Sequence, residues 1–241
     1  MKSFTQYQDF LTEKRGVAKA GFDYEKKIQV GLFKNGLAKT KDTAGSTNRA
    51  DVVFLYKGKE HNLEIGITGK DFAQGKVHWN TETNKWYADT KNSATLTKFL
   101  QTLTYDDDLM DTWGPAAIGQ KTAATAKTRV AAARKGGDLY LTDVPAKMIW
   151  DYYADKGTHY IQVKGHGAFY MKKNPLNLPL PRFNVKPMLR FRVKGYGSKS
   201  SVPHDTTWAV KIPTSGFPKS DYTFDLSDNT KTGPAKFLKK R

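Results

Sequence analysis

Two short apolar runs, Asp51–Tyr56 and His61–Thr68, flank a turn around Lys57–Gly58–Lys59. β-Branched and aromatic residues favour strands, and a tight glycine-bearing turn between two such runs closes a hairpin. Both runs are apolar enough to demand burial, so the chain builds its core around this hairpin. Each strand nevertheless carries one carboxylate among apolar neighbours, Asp51 in the first and Glu64 in the second. Glycine stands two residues after the second acid, at position 66.

Before the hairpin, the spacing predicts a helix over Tyr24–Asn35, with Phe22, Ile28, Leu32 and Phe33 on one side, Asp23 as its cap and Gly36 as its stop. An earlier helix is expected at residues 3–15, capped by Ser3 or Thr5, and the polar KTKDTAGSTN forms a loop. Residues 71–90 read as strand–turn–strand or strand–turn–helix. Thr95–Thr104 has helical spacing through Leu96, Phe99, Leu100 and Leu103. Lys121–Arg134 is an alanine-rich basic helix ended by Gly136–Gly137, and Val144–Asp155 is another, with Pro145 near its start.

After Gly157 the texture becomes that of a β-sheet. HYIQVKG, GAFYM, MLRFRVKG, TTWAVKI and DYTFDL alternate or carry aromatics between Gly, Pro and Asn. The proline-rich NPLNLPLPRF crosses between two of these runs in extended form, and KTGPAKFLKKR reads as a mobile basic tail. The expected organisation is an α/β (α+β) core over 1–157 and a basic β-rich region over 158–241, either a second part or a continuation of the same domain.

A chain of 241 residues can bury one full core, or one domain and a smaller appendage. Its charge is unusual: 40 Lys and Arg against 23 Asp and Glu give +17. From Tyr160 to Arg241 there are 16 basic and four acidic residues, so most of the excess lies in the last third. Such an excess suits a polyanion partner, with the last third as its electrostatic clamp. With no cysteine, a disulfide scaffold, a thiolate zinc site and a cysteine nucleophile are excluded. The N-terminal segment lacks an apolar stretch of signal-peptide length, and no window reaches the roughly 18 apolar residues of a membrane span. The expectation is an intracellular, cytoplasmic protein with no membrane partner.

Side chains alternate along a strand, so Asp51 shares a face with Val53, and Glu64 shares one with Asn62 and position 66. The hairpin can bring the two acids together. Carboxylates at that range raise one another's pKa unless a cation sits between them. Magnesium suits the gap, because it takes oxygen ligands and combines one or two carboxylates with substrate phosphates. That arrangement implies metal-assisted phosphodiester chemistry. The plainer alternative is that Asp51 caps a strand end while Glu64 faces solvent.

A helix bearing Glu25, a Gly/Ser/Thr loop, ADVVF, a turn and then NLEIG together resemble the PD-(D/E)XK nuclease superfamily, and KDFAQGKVHWN resembles its phage-encoded members through Phe72 and Gln74. The resemblance covers residues 20–80 and extends more weakly to YIQVKGHGAFYM and LRFRVKG. It implies a restriction-endonuclease-like core of a mixed sheet flanked by helices, and a Mg2+-dependent DNA endonuclease, with Mn2+ as an alternative ion. Asp51, Glu64 and the Ile65 carbonyl would hold the metal, Glu25 would support it, and Gln74 would orient substrate or water. The motif lysine is replaced by Gly66. Lys70, and after it Lys76, are the lysines that could reach the same space; otherwise hydrolysis is lost and a non-catalytic nucleic-acid-binding or virion-assembly protein remains. A homodimer follows by analogy with enzymes that cut both strands, and a phage origin would put the protein in a host cytoplasm.

Further basic residues are candidates for gripping phosphate. Lys76, Lys121, Lys127, Arg129 and Arg134 belong to the first part, and Lys172, Lys173, Arg190 and Arg192 to the second, interleaved with Phe169, Tyr170, Phe183 and Phe191. For most of those aromatics a core role is the simpler reading. His159 and His166 lack a third ligand and read as strand-end histidines. The Asp106–Asp108 run with Asp111 lacks the glycine and distal glutamate of a calcium loop and reads as a solvated turn.

Overall fold

A computed structural model of the chain describes residues 20–42, 50–68, 71–80, 85–88, 139–142, 144–195, 204–213 and 216–238. The helices expected at 3–15, 95–104 and 121–134, and the Asp106–Asp111 turn, lie outside these residues. The described elements are a helix over 20–34 (α1), β1 Val52–Tyr56, β2 Lys59–Gly66, β3 Ala73–Asn80, β4 Lys85–Ala88, β5 Leu139–Leu141, α2 Ala146–Asp155, β6 Thr158–Val163, β7 Gly167–Tyr170, β8 Met188–Gly195, β9 His204–Lys211 and α3 Pro234–Leu238. They make an α+β protein with two sheets, of order β1-β2-β6-β7 and β4-β3-β9-β8-β5.

The chain falls into two compact units, each built from separate stretches of sequence. One comprises 1–67, 157–183 and 218–241, and the other 68–156 and 184–217. The grouping differs from a division at 157/158, because β6 of the last third pairs parallel with β2 of the hairpin. The first sheet is therefore mixed: β1/β2 and β6/β7 are antiparallel around that central parallel pair. In the second sheet every pairing is antiparallel. Within residues 71–90 the described residues form two strands, β3 and β4, paired antiparallel.

The hairpin forms as its sequence dictates. Tyr56 faces Lys59 across a two-residue turn, and both turn residues have positive φ, +49° at Lys57 and +75° at Gly58. That is the twist a two-residue hairpin needs. Helix α1 also ends where glycine requires. Gly36 takes φ +68°, the Leu37 N–H donates to Leu32 O at 2.8 Å, and the Gly36 N–H donates to Phe33 O at 3.0 Å. These are the two bonds of a Schellman ending. Leu37 then turns into the core beside Leu32.

The buried face of α1 is Tyr24, Ile28 and Leu32, which pack with Val52, Phe54, Leu63 and Tyr160. Phe22 and Phe33, expected on that face, are 61% and 43% exposed. At 100° per residue they lie about 80–140° around the helix from Ile28 and Leu32. Asp23 falls inside the helix and not at its cap.

Both margins of the first sheet are covered. On β1, the Leu55 N–H donates to Leu37 O at 2.7 Å, and Gln29 bonds the backbone of Val53. On β7, Tyr170 donates to Pro181 O at 3.0 Å and Phe183 donates to Tyr170 O at 2.7 Å. The proline-rich 174–183 crossing thus closes an edge with a chain poor in donors of its own, which discourages further strand addition. Asn174 holds its bend by accepting from Leu178 N at 3.0 Å and donating to Leu178 O at 2.7 Å.

Two C-terminal expectations are corrected. DYTFDL is not a strand of either sheet; it belongs to a strap over 218–232 that touches β7 through Ala168 N–H to Tyr222 O at 2.7 Å. KTGPAKFLKKR is not a loose tail through residue 238. Phe237 and Leu238 on α3 are buried in the core, and Phe237 meets Phe224 edge-on at 5.4 Å.

In the second unit, Trp208 on β9 is fully buried, with its ring 5.6 Å from that of Tyr152 on α2. The Tyr153 hydroxyl donates to Phe72 O. Phe191 is also core, as are Phe169 and Phe183 in the first unit, so the simpler reading of these aromatics holds.

The closest approach of strap and sheet is at Gly167, where φ is +103° and a Cβ would lie 2.6 Å from Tyr222 O and 2.7 Å from Ser220 O. At Gly165, φ is +75° and a Cβ would meet nothing within 4 Å. Gly167→Ala is therefore expected to cost about 2–4 kcal/mol, through strain and displacement of the strap. Gly165→Ala should cost about 1–2 kcal/mol, from backbone strain alone. Urea unfolding midpoints measure both, and equal losses would contradict the close approach.

Candidate functional site

The hairpin register runs from Tyr56↔Lys59 to Val52↔Leu63. Asp51 immediately precedes that last pair and Glu64 immediately follows it, so the two acids occupy facing positions at the open end of the hairpin. Asp51 does not extend the ladder through its backbone. Its Oδ2 accepts from the Ile65 N–H at 3.0 Å, which ties the carboxylate to β2 beside Glu64. Asp51 and Glu64 are both partly buried.

Glu25 joins them from α1. Burial, and then the charge of Asp51, push its pKa from the usual 4.5 up to about 7. The repulsion shows that α1 delivers Glu25 into the field of Asp51, while the core-facing Tyr24, Ile28 and Leu32 keep the helix seated. Among the described residues, no three His, Cys, Asp or Glu side chains already surround a common metal position. The donors are hard carboxylate oxygens, of which those of Glu25 and Asp51 repel one another. They fit a small divalent cation that completes its shell with water and phosphate, and do not fit a soft metal.

The other predicted residues are distributed as follows. Gly66 ends β2, and its carbonyl accepts from the Lys164 N–H at 2.9 Å. Lys70, Lys121, Lys127, Arg129 and Arg134 lie outside the described residues. Lys76 and Arg192 are strand residues of β3 and β8 whose side chains are not described. Gln74, exposed on β3 opposite Ala209, belongs to the second unit, whereas Glu25, Asp51, Glu64 and Ile65 belong to the first. Phe72 is buried against Phe217, with ring centroids 5.5 Å apart.

Arg190 is not a surface cation. Its side chain is 8% exposed and bonds Asp71 Oδ2 at 2.7 Å, while Lys211 approaches Asp71 Oδ1 at 3.0 Å. Lys172 and Lys173 are exposed. With burial acting first, the two lysines hold His159 below its ordinary pKa. His166 sits in the β6–β7 turn, with Nδ1 3.3 Å from Pro218 O.

Sequence reading missed the residues that hold α1 in place. Gln29 and Gln162 are each 1% exposed, and both use their amides on backbone groups. Asp225 on the strap meets Lys27 at 3.3 Å. Burial acts to raise the Asp225 pKa, but the hydrogen bonds from Ser227 and the Lys27 charge prevail and hold it below the carboxylate norm. The available signal was weak: a polar residue on an apolar helical or strand face, which periodicity treats as noise.

No protein-family model matches the sequence, and no curated protein matches it. Among solved structures the chain is similar to HhaI endonuclease in complex with DNA, at 11% identity, with 80% of this chain and 90% of that chain covered and a TM-score of 0.46. At that identity and score the likeness is distant. No described helix is long and apolar enough to cross a membrane.

The Glu25 environment gives a sign for pH dependence. An ordinary glutamate releases its proton near 4.5, and Glu25 in the folded chain keeps it until about 7. Between those values the folded state binds the extra proton, so without divalent cations stability falls as pH rises through that window and levels off above it. Allowing for solvent screening of a half-buried group, the loss is about 1–2 kcal/mol. Thermal unfolding in EDTA from pH 5 to 8 should show Glu25→Gln gaining on the parent by that amount. Parallel pH profiles would mean that Glu25 is not under strain.

Proposed function

We propose that the chain is a divalent-metal-dependent endonuclease acting on DNA. One observation carries the reading: two acids from different elements, Glu25 and Asp51, are held close enough to repel, with Glu64 facing Asp51 across the hairpin. Such a pair suits a site that takes a cation, and a polyanion is the partner that a chain of +17 attracts.

Asp51 and Glu64 would hold the ion, with the Ile65 carbonyl and Glu25 in support; Mg2+ is the first choice and Mn2+ the second. When bound, the metal would supply Lewis-acid stabilisation of the phosphate and a more acidic water. The chain's own residues have separate tasks. The Ile65 N–H fixes the orientation of the Asp51 carboxylate. Glu25, poised near neutrality, can take up or release a proton at working pH. Gly66 offers no side chain to hold the attacking water, and Lys70 is our candidate for that task. Lys172 and Lys173 are candidates for phosphate contacts.

Supercoiled plasmid provides the test. Nicking is expected with Mg2+ or Mn2+ and not with EDTA. Asp51→Asn and Glu64→Gln should each slow it by about 100-fold or more, the scale of losing one electrostatic stabiliser, while leaving DNA mobility shifts intact. Lys70→Ala should be comparably slow; an unchanged rate removes Lys70 from the mechanism. Salt-sensitive DNA binding with no nicking under either metal would instead leave a non-catalytic nucleic-acid-binding or virion-assembly protein.

A further inference from the structure

We infer that Gln29 is a positioning residue for the acidic site: its amide sets the register of α1 along β1 so that Glu25 arrives beside Asp51. The inference deepens the proposed function and rests on it for the identity of the ligand as a divalent cation. Gln29 Oε1 accepts from the Val53 N–H at 2.9 Å, and its Nε2 donates to Val53 O at 3.2 Å and to Thr40 O at 2.7 Å. Both halves of one amide therefore read a single strand residue, as a neighbouring strand would. Its burial leaves the side chain no solvent-exposed alternative.

The spacing then does the rest. Glu25 is one helical turn before Gln29 on the same face, and Asp51 stands two residues before Val53, in the bend just ahead of β1. Four helical residues advance about 6 Å, within the roughly 7 Å that two residues of chain can span. With Gln29 locked to Val53, the helix and the chain ahead of β1 walk back in step and bring 25 to 51. A slip of α1 by one strand residue would offer the amide to groups that point into the sheet. A slip of two would carry Glu25 past Asp51.

Other residues could not do this. Methionine matches the volume of Gln29 but bonds neither Val53 group. Asparagine keeps the amide but is one methylene short. The test compares Gln29→Met and Gln29→Asn with Leu238→Ala, which removes a buried side chain from the same core on α3. Two readouts are taken on the full-length chain: Mn2+ affinity by calorimetry, and the titration midpoint of the Glu25 carboxyl by carbon-13 NMR without metal.

Both Gln29 variants should bind Mn2+ about 10–100-fold more weakly, the usual cost of losing a group that orients a metal ligand. In a Glu25→Gln background the Gln29 changes should add nothing further, because their effect passes through Glu25. Without metal, the Glu25 midpoint should fall from about 7 toward 4.5, as it should in Asp51→Asn. Leu238→Ala should move neither readout. If the Gln29 variants lose stability as Leu238→Ala does while Mn2+ affinity and the Glu25 midpoint stay put, Gln29 is structural only and the inference is overturned. If the parent chain binds no Mn2+, the metal reading fails, and a crystal structure of Gln29→Met then decides for or against Gln29: Glu25 keeping its parental place relative to Asp51 overturns the inference. Should Gln29→Met not fold, Gln29→Asn carries the comparison.

Discussion

The amide of Gln162 is the joint on which the first unit turns. It stands on β6, between β2 and β7, with almost no contact with solvent. Its Oε1 accepts from the Phe224 N–H at 2.8 Å and from the Thr223 hydroxyl at 3.3 Å, and its Nε2 donates to the Tyr24 hydroxyl at 3.4 Å. One side chain thus links the middle of the sheet to the first turns of α1 and to the C-terminal strap. An apolar residue here would leave a buried N–H and two hydroxyls short of partners, each worth about 1–3 kcal/mol when unsatisfied. Burial and the neighbouring Asp225 push the Tyr24 phenol well above its ordinary pKa, so it stays a neutral donor and acceptor.

That joint explains how a single helix can be held to a functional tolerance. On one side, Tyr24 and Lys27 bind the strap through Gln162 and Asp225. On another, Ile28 and Leu32 press into the core. On a third, Gln29 reads β1. Apolar packing alone permits small rotations and slides, since dispersion contacts are numerous but non-directional. Hydrogen bonds to fixed backbone groups do not permit them. Glu25 emerges from the residue between these restraints, and the restraints explain why the chain tolerates its repulsion from Asp51.

The parts legible in the sequence are those decided locally. The turn at Lys57–Gly58, the stop at Gly36 and the helix that follows Pro145 and ends at Asp155 need no distant partner, and all three form as read. The facing of Asp51 and Glu64 was legible too, because hairpin register follows from turn length. The strap was not. Phe224 is buried because Phe54, 170 residues earlier in the chain, offers a ring 4.9 Å away, and no window of sequence contains both. The same holds for Phe237 and Leu238, which look like a basic tail until the core that takes them is known. Phe22 and Phe33 differ for another reason: they lie about 80–140° around the helix from Ile28 and Leu32, so an apolar side chain there leaves the core face.

A chain of +17 draws in polyanions, and that net charge already includes ion pairs such as Lys27 with Asp225 and Asp71 with Arg190 and Lys211. At the acidic end of the hairpin the local charges are the carboxylates of Glu25, Asp51 and Glu64, of which Glu25 and Asp51 repel one another. Over distances beyond a Debye length of roughly 8–10 Å the attraction is screened, and at contact the local repulsion decides. A polyanion can dock on these carboxylates only if positive charge sits between them and its phosphates. Protons can supply part of it, because Glu25 holds one until about pH 7, but a proton removes one charge from one acid only. Under the proposed reading a divalent ion would remove two, so a phosphate substrate and the metal would each make the other's binding more favourable.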